Sequence, residues 1–171
     1  KKSKLSTNDR NLATEMSYGT LRMQGLMDYI AGKFTDRPFN ELDPKIQDLL
    51  RMGIYQLNQI RIPDHAAVSE TVEVARQVAG DSKASYINAI LREVSSNAFD
   101  LAELDNLPKV DKLSIKHSHP IWIVNAFYDQ LKDWDLVEQL LIADNRSTRP
   151  DIVCWPDKSN EEEFIKLGAH K

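Results

Sequence analysis

The stretch from Ile62 to Val94, IPDHAAVSETVEVARQVAG followed at once by DSKASYINAILREV, constrains the fold most. Apolar residues recur at helical spacing on both sides of a Gly80-Asp81-Ser82 break, which predicts two helices in a tight hairpin. Val68, Thr71, Val72, Ala75, Val78 and Ala79 share one face of the first arm, and Ala84, Ile87, Leu91 and Val94 share one face of the second. Gly80 suits the left-handed conformation that stops a helix, and Asp81 or Ser82 is expected to accept the free N–H groups that start the next. Both arms have an apolar face to bury, so other helices must cover them.

The preceding sequence supplies those helices. Ser6 or Thr7 can cap a helix whose stripe runs through Leu12, Met16, Gly19, Met23, Leu26 and Ile30, spaced 4, 3, 4, 3 and 4. A glycine inside a helix costs about 1 kcal/mol against alanine, so Gly19 predicts that another helix crosses closely there. Asp43-Pro44 restarts the pattern as N-cap and first helical residue, and Ile46, Leu49, Leu50, Gly53, Ile54 and Leu57 mark a second buried stripe.

Three segments carry a family resemblance. HAAVSETVEVA with YINAILRE, the segment SYGTLR, and LDPKIQDLLRMGIYQL resemble the NusB-like domain. That domain is shared by transcription antitermination factors and the N-terminal part of RsmB/Sun (Fmu) type ribosomal RNA cytosine methyltransferases. The resemblance implies an all-α bundle and a further helix ahead of Leu5, which this sequence does not contain.

After Asn97 the sequence turns acidic, NAFDLAELDNLPKVD, and reads as a linker over 98–110 between a domain at 1–97 and a second unit at 111–171. Helical periodicity then resumes, with Ser118 or His119 expected to cap a helix and Pro120 in its first turn. Val124, Phe127, Tyr128 and Leu131 form one stripe; Trp134, Val137, Leu140 and Leu141 form the next. HSHP with Trp122 resembles the element that opens the methyltransferase module of the RsmB/Sun family, which stand-alone antitermination factors lack. Asp151–Trp155 reads as a short strand, and Ser159 with Glu162 has capping-box spacing. The expected fold is therefore mainly α: a NusB-like helical bundle, a small helical segment, and the beginning of an α+β RNA-binding subdomain. One strand and one short helix cannot hide their own apolar faces, so the chain reads as a fragment truncated within the methyltransferase module.

Composition narrows the function classes. No apolar run approaches the roughly 18 residues that span a bilayer and the start is polar, so a cytoplasmic protein without a membrane partner is expected. The single Cys154 excludes an internal disulfide. Net charge is −4, against a protein that simply coats nucleic acid. The first hundred residues carry thirteen basic and thirteen acidic side chains, so an RNA-binding face must be a local cluster of cations.

Cytosine C5 methylation needs a cysteine thiolate, yet Cys154 sits on an apolar segment with no cation or helix N-terminus in view, and a structural role is expected. His117 and His119 lack a third ligand and read as capping and packing residues; His65, just ahead of a helix, reads as structural. Asn88, between Ala84 and Leu91, is expected to bond buried backbone. Trp122, Trp134 and Trp155 read as core aromatics before base-stacking ones. No catalytic, cofactor or metal residue is assigned. The RNA-binding candidates are the basic run Lys1, Lys2, Lys4 and Arg10, then Arg22, Arg61 and Arg92 on the helical domain, and Arg146 and Arg149 at the junction to the strand. Arg51 and Arg76 also lie on that domain.

The resemblance implies the rRNA-recognition region of an S-adenosylmethionine-dependent 16S rRNA 5-methylcytosine methyltransferase. Its catalytic cysteines and S-adenosylmethionine loop would lie beyond Lys171; 16S rRNA is the expected partner, and DNA is not. The alternative is a non-enzymatic NusB-like antitermination factor that binds RNA and a ribosomal protein. A helical protein-interaction module is the third reading.

Overall fold

The computed structural model describes residues 5–146, 154–155 and 161–166. Helix α1 (Thr7–Arg22) starts on Ser6, whose Oγ accepts the Asp9 N–H. The long stripe predicted through Ile30 is divided at Met23, and α2 (Gln24–Phe34) follows. Only Gly19 and Thr20 of α1 are buried; Leu12, on the predicted stripe, is 45% exposed because the helix packs through its last turns alone. Asp43 caps α3 (Pro44–Gln59) by accepting the Lys45 N–H, with Pro44 in the first turn as expected. Helices α4 (Asp64–Ala79) and α5 (Asp81–Ser96) form the hairpin around Gly80, whose φ of 88° a side chain would strain.

The capping expected of Asp81 or Ser82 does not occur. Gly80 itself precedes α5 without a side-chain cap, and the Asp81 carboxylate instead accepts from Arg76 Nε at 3.0 Å. The positive φ already turns the chain, and Asp81, inside the first turn, favours the positive helix end without capping it.

Val68 and Ala75 of α4 and Ala84, Ile87, Leu91 and Val94 of α5 meet Leu49, Leu50 and Ile54 of α3 and Leu26, Met27 and Ile30 of α2 in the main core. Val78, on the predicted apolar face, is 50% exposed. Two glycines permit close crossings. A Cβ at Gly19 would stand 2.0 Å from the Tyr55 hydroxyl, and one at Gly53 would stand 2.6 Å from Leu91 Cδ1. The tyrosine hydroxyl donates to Glu15 Oε1 at 2.6 Å, so the α1–α3 crossing is also bonded. Burial first, then the Glu15 bond, pushes the Tyr55 phenol up to about 12. Gly19→Ala is expected to push the ring from its seat and lower stability by about 1–3 kcal/mol, seen as a lower urea midpoint in which the Glu15 carboxylate no longer matters.

The stretch read as a linker is folded. Asp100 caps a 3-10 helix, Leu101–Asn106, that buries Leu104, and Pro108 leads into α6 (Lys109–His117). Lys33 pairs with Glu103 across this join, and Ile115 of α6 packs against the main core. Helix α6 faces two ways: Leu113 belongs to a second core with Val124 of α7 (Ile121–Leu131) and Val137 and Leu141 of α8 (Trp134–Asp144). Trp134 stacks on Tyr128 with ring centroids 3.9 Å apart. Trp122, expected in the core, is 70% exposed, since it occupies the solvent side of the first turn of α7.

A last helix runs Glu161–Lys166. Among the described residues there is no strand; the strand expected over Asp151–Trp155 and the cap at Ser159 fall largely outside them. No helix among the described residues is long and apolar enough to cross a membrane.

Candidate nucleic-acid interface

Helices α4 and α5 pack through their apolar faces and leave a groove of about 810 Å³ along one side. Val68 and Val72 form its floor. Its walls are polar: His65, Ser69, Glu70, Glu73 and Arg76 from α4, and Asn88, Arg92, Ser95 and Ser96 from α5. Asp64 closes one end and accepts the Ser95 hydroxyl at 2.9 Å. The α5 contribution follows from sequence, because positions 88, 92, 95 and 96 are spaced as one helical face adjoining the apolar stripe. Asn88 was expected to bond buried backbone. It is half-buried at the groove wall and its side chain makes no hydrogen bond among the described residues, which leaves its amide free toward the groove. His65, expected just ahead of the helix, is the second residue of α4 and exposed.

The arginines divide into two sets. Arg51 is pinned by Asp28 at 2.5 and 2.9 Å and by Asp48, and its pKa is raised chiefly by the Asp28 bonds. Arg76 lies between Glu73 and Asp81, and Arg37 pairs with Asp36. By contrast, Arg10, Arg22, Arg61, Arg92 and Arg146 form no ion pair among the described residues. A guanidinium without a carboxylate partner is available to a phosphate at no cost in broken pairs. Arg92 stands in the groove wall, and Arg61 lies in the loop three residues before Asp64. Arg22, half-buried, is close enough to Tyr55 to act on its hydroxyl electrostatically. Arg10 and Arg146 are exposed and lie elsewhere, in the first turns of α1 and just past α8. Lys1, Lys2, Lys4 and Arg149 lie outside the described residues.

The HSHP segment is a web of bonds. His117 is buried and its Nε2–H faces Glu138 Oε1 at 3.2 Å, while Lys116 reaches the same oxygen at 2.6 Å. Burial by itself would raise the Glu138 carboxyl, but the bonds from Lys116 and His117 outweigh it and hold it at about 2. Burial lowers His117 in spite of the Glu138 bond, so the ring is neutral when it donates. The His117 carbonyl accepts from His119 Nδ1 at 2.7 Å and from Asn145 Nδ2 at 2.8 Å. Both histidines are packed and hydrogen-bonded as expected, but neither caps α7, which starts after Pro120 without a side-chain cap; no group of three or more metal-ligating side chains occurs among the described residues. The cap expected of Ser118 takes another direction. Ser118 adopts left-handed φ of 54° as it ends α6, and its Oγ accepts the Leu26 N–H at 2.9 Å, at the start of α2. Cys154 is half-buried.

The bundle is an all-helical one with glycine-permitted crossings and a closing two-helix hairpin; residues 1–96 match the NusB family, and the chain belongs to it. Relatives extend the likeness past that domain. A Vibrio vulnificus protein named ribosomal RNA small subunit methyltransferase B is 34% identical over 143 residues, covering 83% of this chain and 32% of the relative. Its namesake from Cronobacter sakazakii is 30% identical over 166 residues, 96% of this chain and 37% of the relative. A Mycobacterium tuberculosis protein carrying a methyltransferase name is 38% identical over 128 residues, 72% of this chain and 28% of the relative. The chain thus spans about a third of the length of these relatives.

Proposed function

We propose that this chain is the rRNA-recognition region of an S-adenosylmethionine-dependent 16S rRNA 5-methylcytosine methyltransferase. Residues 1–97 form the recognition bundle, 98–110 the join, and 111–171 the start of the methyltransferase module, which leads toward an α+β RNA-binding subdomain. The observation that carries recognition is the pairing pattern of the arginines: Arg92, in the wall of the α4–α5 groove, and Arg61, in the loop before α4, are unneutralised where Arg51 and Arg76 are tied to carboxylates. The enzyme reading is favoured over an antitermination factor because the likeness to the named methyltransferases covers 166 residues, more than the bundle contains.

The residues here do not suit S-adenosylmethionine. Among the described residues Gly19 and Gly53 serve helix crossings, Gly25 faces Ser118, Gly32 lies within α2 and Gly80 turns a helical hairpin; none of these opens a strand-to-helix loop. Cofactor binding and the reacting cysteine belong on this reading to other parts of the longer protein, and the bundle acts by holding structured RNA through its backbone.

The test is binding of a helical 16S rRNA fragment as a function of salt. Arg61→Ala with Arg92→Ala is expected to weaken binding about tenfold and to flatten the slope of log K against log salt by about 2, with Arg76→Ala having little effect. Absent affinity, or affinity indifferent to salt, would sink the recognition role.

A further inference from the structure

The HSHP segment adds a hydrogen-bonded join between the two cores, beside the packing of Ile115 on the main core and the Lys33–Glu103 pair. Four observations converge there. Helix α2 begins at Met23 without any side-chain cap of its own. Ser118, 92 residues away in sequence, supplies the acceptor for the Leu26 N–H. The hydroxyl is aimed by left-handed backbone at Ser118, a conformation that disfavours most side chains. Gly25 leaves the space, since a Cβ there would approach Ser118 Cα to 3.2 Å. Behind the serine the turn is fixed from three sides: Ser114 Oγ donates to the His119 carbonyl at 2.7 Å, and His119 and Asn145 both donate to the His117 carbonyl. The Asn145 bond ties the turn to the end of α8, so the serine is rigid with respect to the second core.

We infer that Ser118, with Gly25 as its seat, is a positioning latch that fixes the recognition bundle against the α6–α8 unit and so aims bound rRNA at the methyltransferase module. This rests on the methyltransferase reading, and the bond to α2 does not. A recognition domain speeds a reaction only if the bound substrate is delivered in a productive geometry, and a small angular error at the join displaces a distant nucleotide by many ångströms. Three independent devices maintain a single hydrogen bond here, more than the start of one helix needs for its own stability.

The test has two arms. In the first, nitroxide labels are placed by S85C and Q130C on exposed positions of α5 and α7, in a Cys154→Ser background, and their distance distribution is measured in this 171-residue chain. Ser118→Gly removes the hydroxyl while suiting the left-handed backbone; it is expected to broaden the distribution at least twofold. Ser118→Asn, which tolerates that backbone and offers an acceptor, is expected to restore it. In the second arm, full-length enzyme carrying Ser118→Gly is expected to lose about tenfold in kcat on 16S rRNA with KM changed less than twofold, and Ser118→Asn to recover most of it. An unchanged distance distribution overturns the latch, as does a broadened one with undiminished kcat. Full-length wild-type protein inactive on 16S rRNA overturns the methyltransferase reading instead, and the distance arm still decides whether Ser118 holds the two units together.

Discussion

Gly53→Ala is expected to lower the unfolding free energy by about 2 kcal/mol, although alanine is the better helix former by nearly 1. The added Cβ would lie 2.6 and 2.7 Å from the two methyl carbons of Leu91 and 3.3 Å from its Cγ, so the whole end of that side chain must move. Leu91 is fully buried in the main core, where close packing leaves a displaced side chain little room. Leu91→Ala is expected to cost about 3 kcal/mol through the cavity it leaves. Together the two changes are expected to cost at least 1 kcal/mol less than their sum, because the new methyl group occupies space the leucine vacated. Urea denaturation of the four proteins of the cycle measures this. Strict additivity would show that the glycine serves something other than the α3–α5 approach.

Acid is expected to weaken the α6–α8 unit through Glu138. Its carboxyl titrates at about 2 in the folded protein against an ordinary 4.5, so its contribution is complete above 4.5 and is lost as pH falls from there toward 2. The full shift corresponds to roughly 3 kcal/mol, and with the side chain 21% exposed about 2 kcal/mol is the realistic size. His117 acts in the same sense: its pKa is lowered, so below 6.5 the unfolded chain takes up a proton that the folded chain refuses. Stability should therefore fall in two stages on acidification, gently below 6.5 and more steeply below 4.5. Glu138→Gln should be about 2 kcal/mol less stable at pH 7 and should lose less than the parent between pH 5 and 3, its remaining slope coming from His117 and the other carboxylates. Urea midpoints at pH 7, 5 and 3 test this; parallel curves for the two proteins would refute it.

The helical hairpin, the caps at Ser6 and Asp43, and the close crossing at Gly19 were legible because each is written locally, in spacing, in a capping residue, or in a missing side chain, whereas Gly53 read only as part of a buried stripe and its approach to Leu91 emerges from the fold. The break at Met23 was not. The apolar stripe keeps its 3 and 4 spacing through it, and neither glycine nor proline marks it. Leu104 was hidden for a different reason: a single buried leucine in an acidic stretch has no period to detect. Ser118 shows the limit most clearly. Its type and place before Pro120 fit a local cap, and only the folded chain brings the start of α2 within 2.9 Å. The candidate interface was half legible. The polar face 88, 92, 95, 96 lies open in the sequence, but whether an arginine is free depends on carboxylates from distant segments, as Asp28 does for Arg51.

The span of the Ser118 bond has a bearing on the order of folding. The α4–α5 hairpin and its contacts with α3 join neighbours in sequence, so loop closure there is cheap and early. The bond from Ser118 to α2 closes 92 residues and has no partner until α6 has formed. During synthesis the first five helices would be complete while the turn that orients them is still to emerge. Amide exchange should mirror that order, with Leu26 exchanging by local opening and Leu91 only by global unfolding.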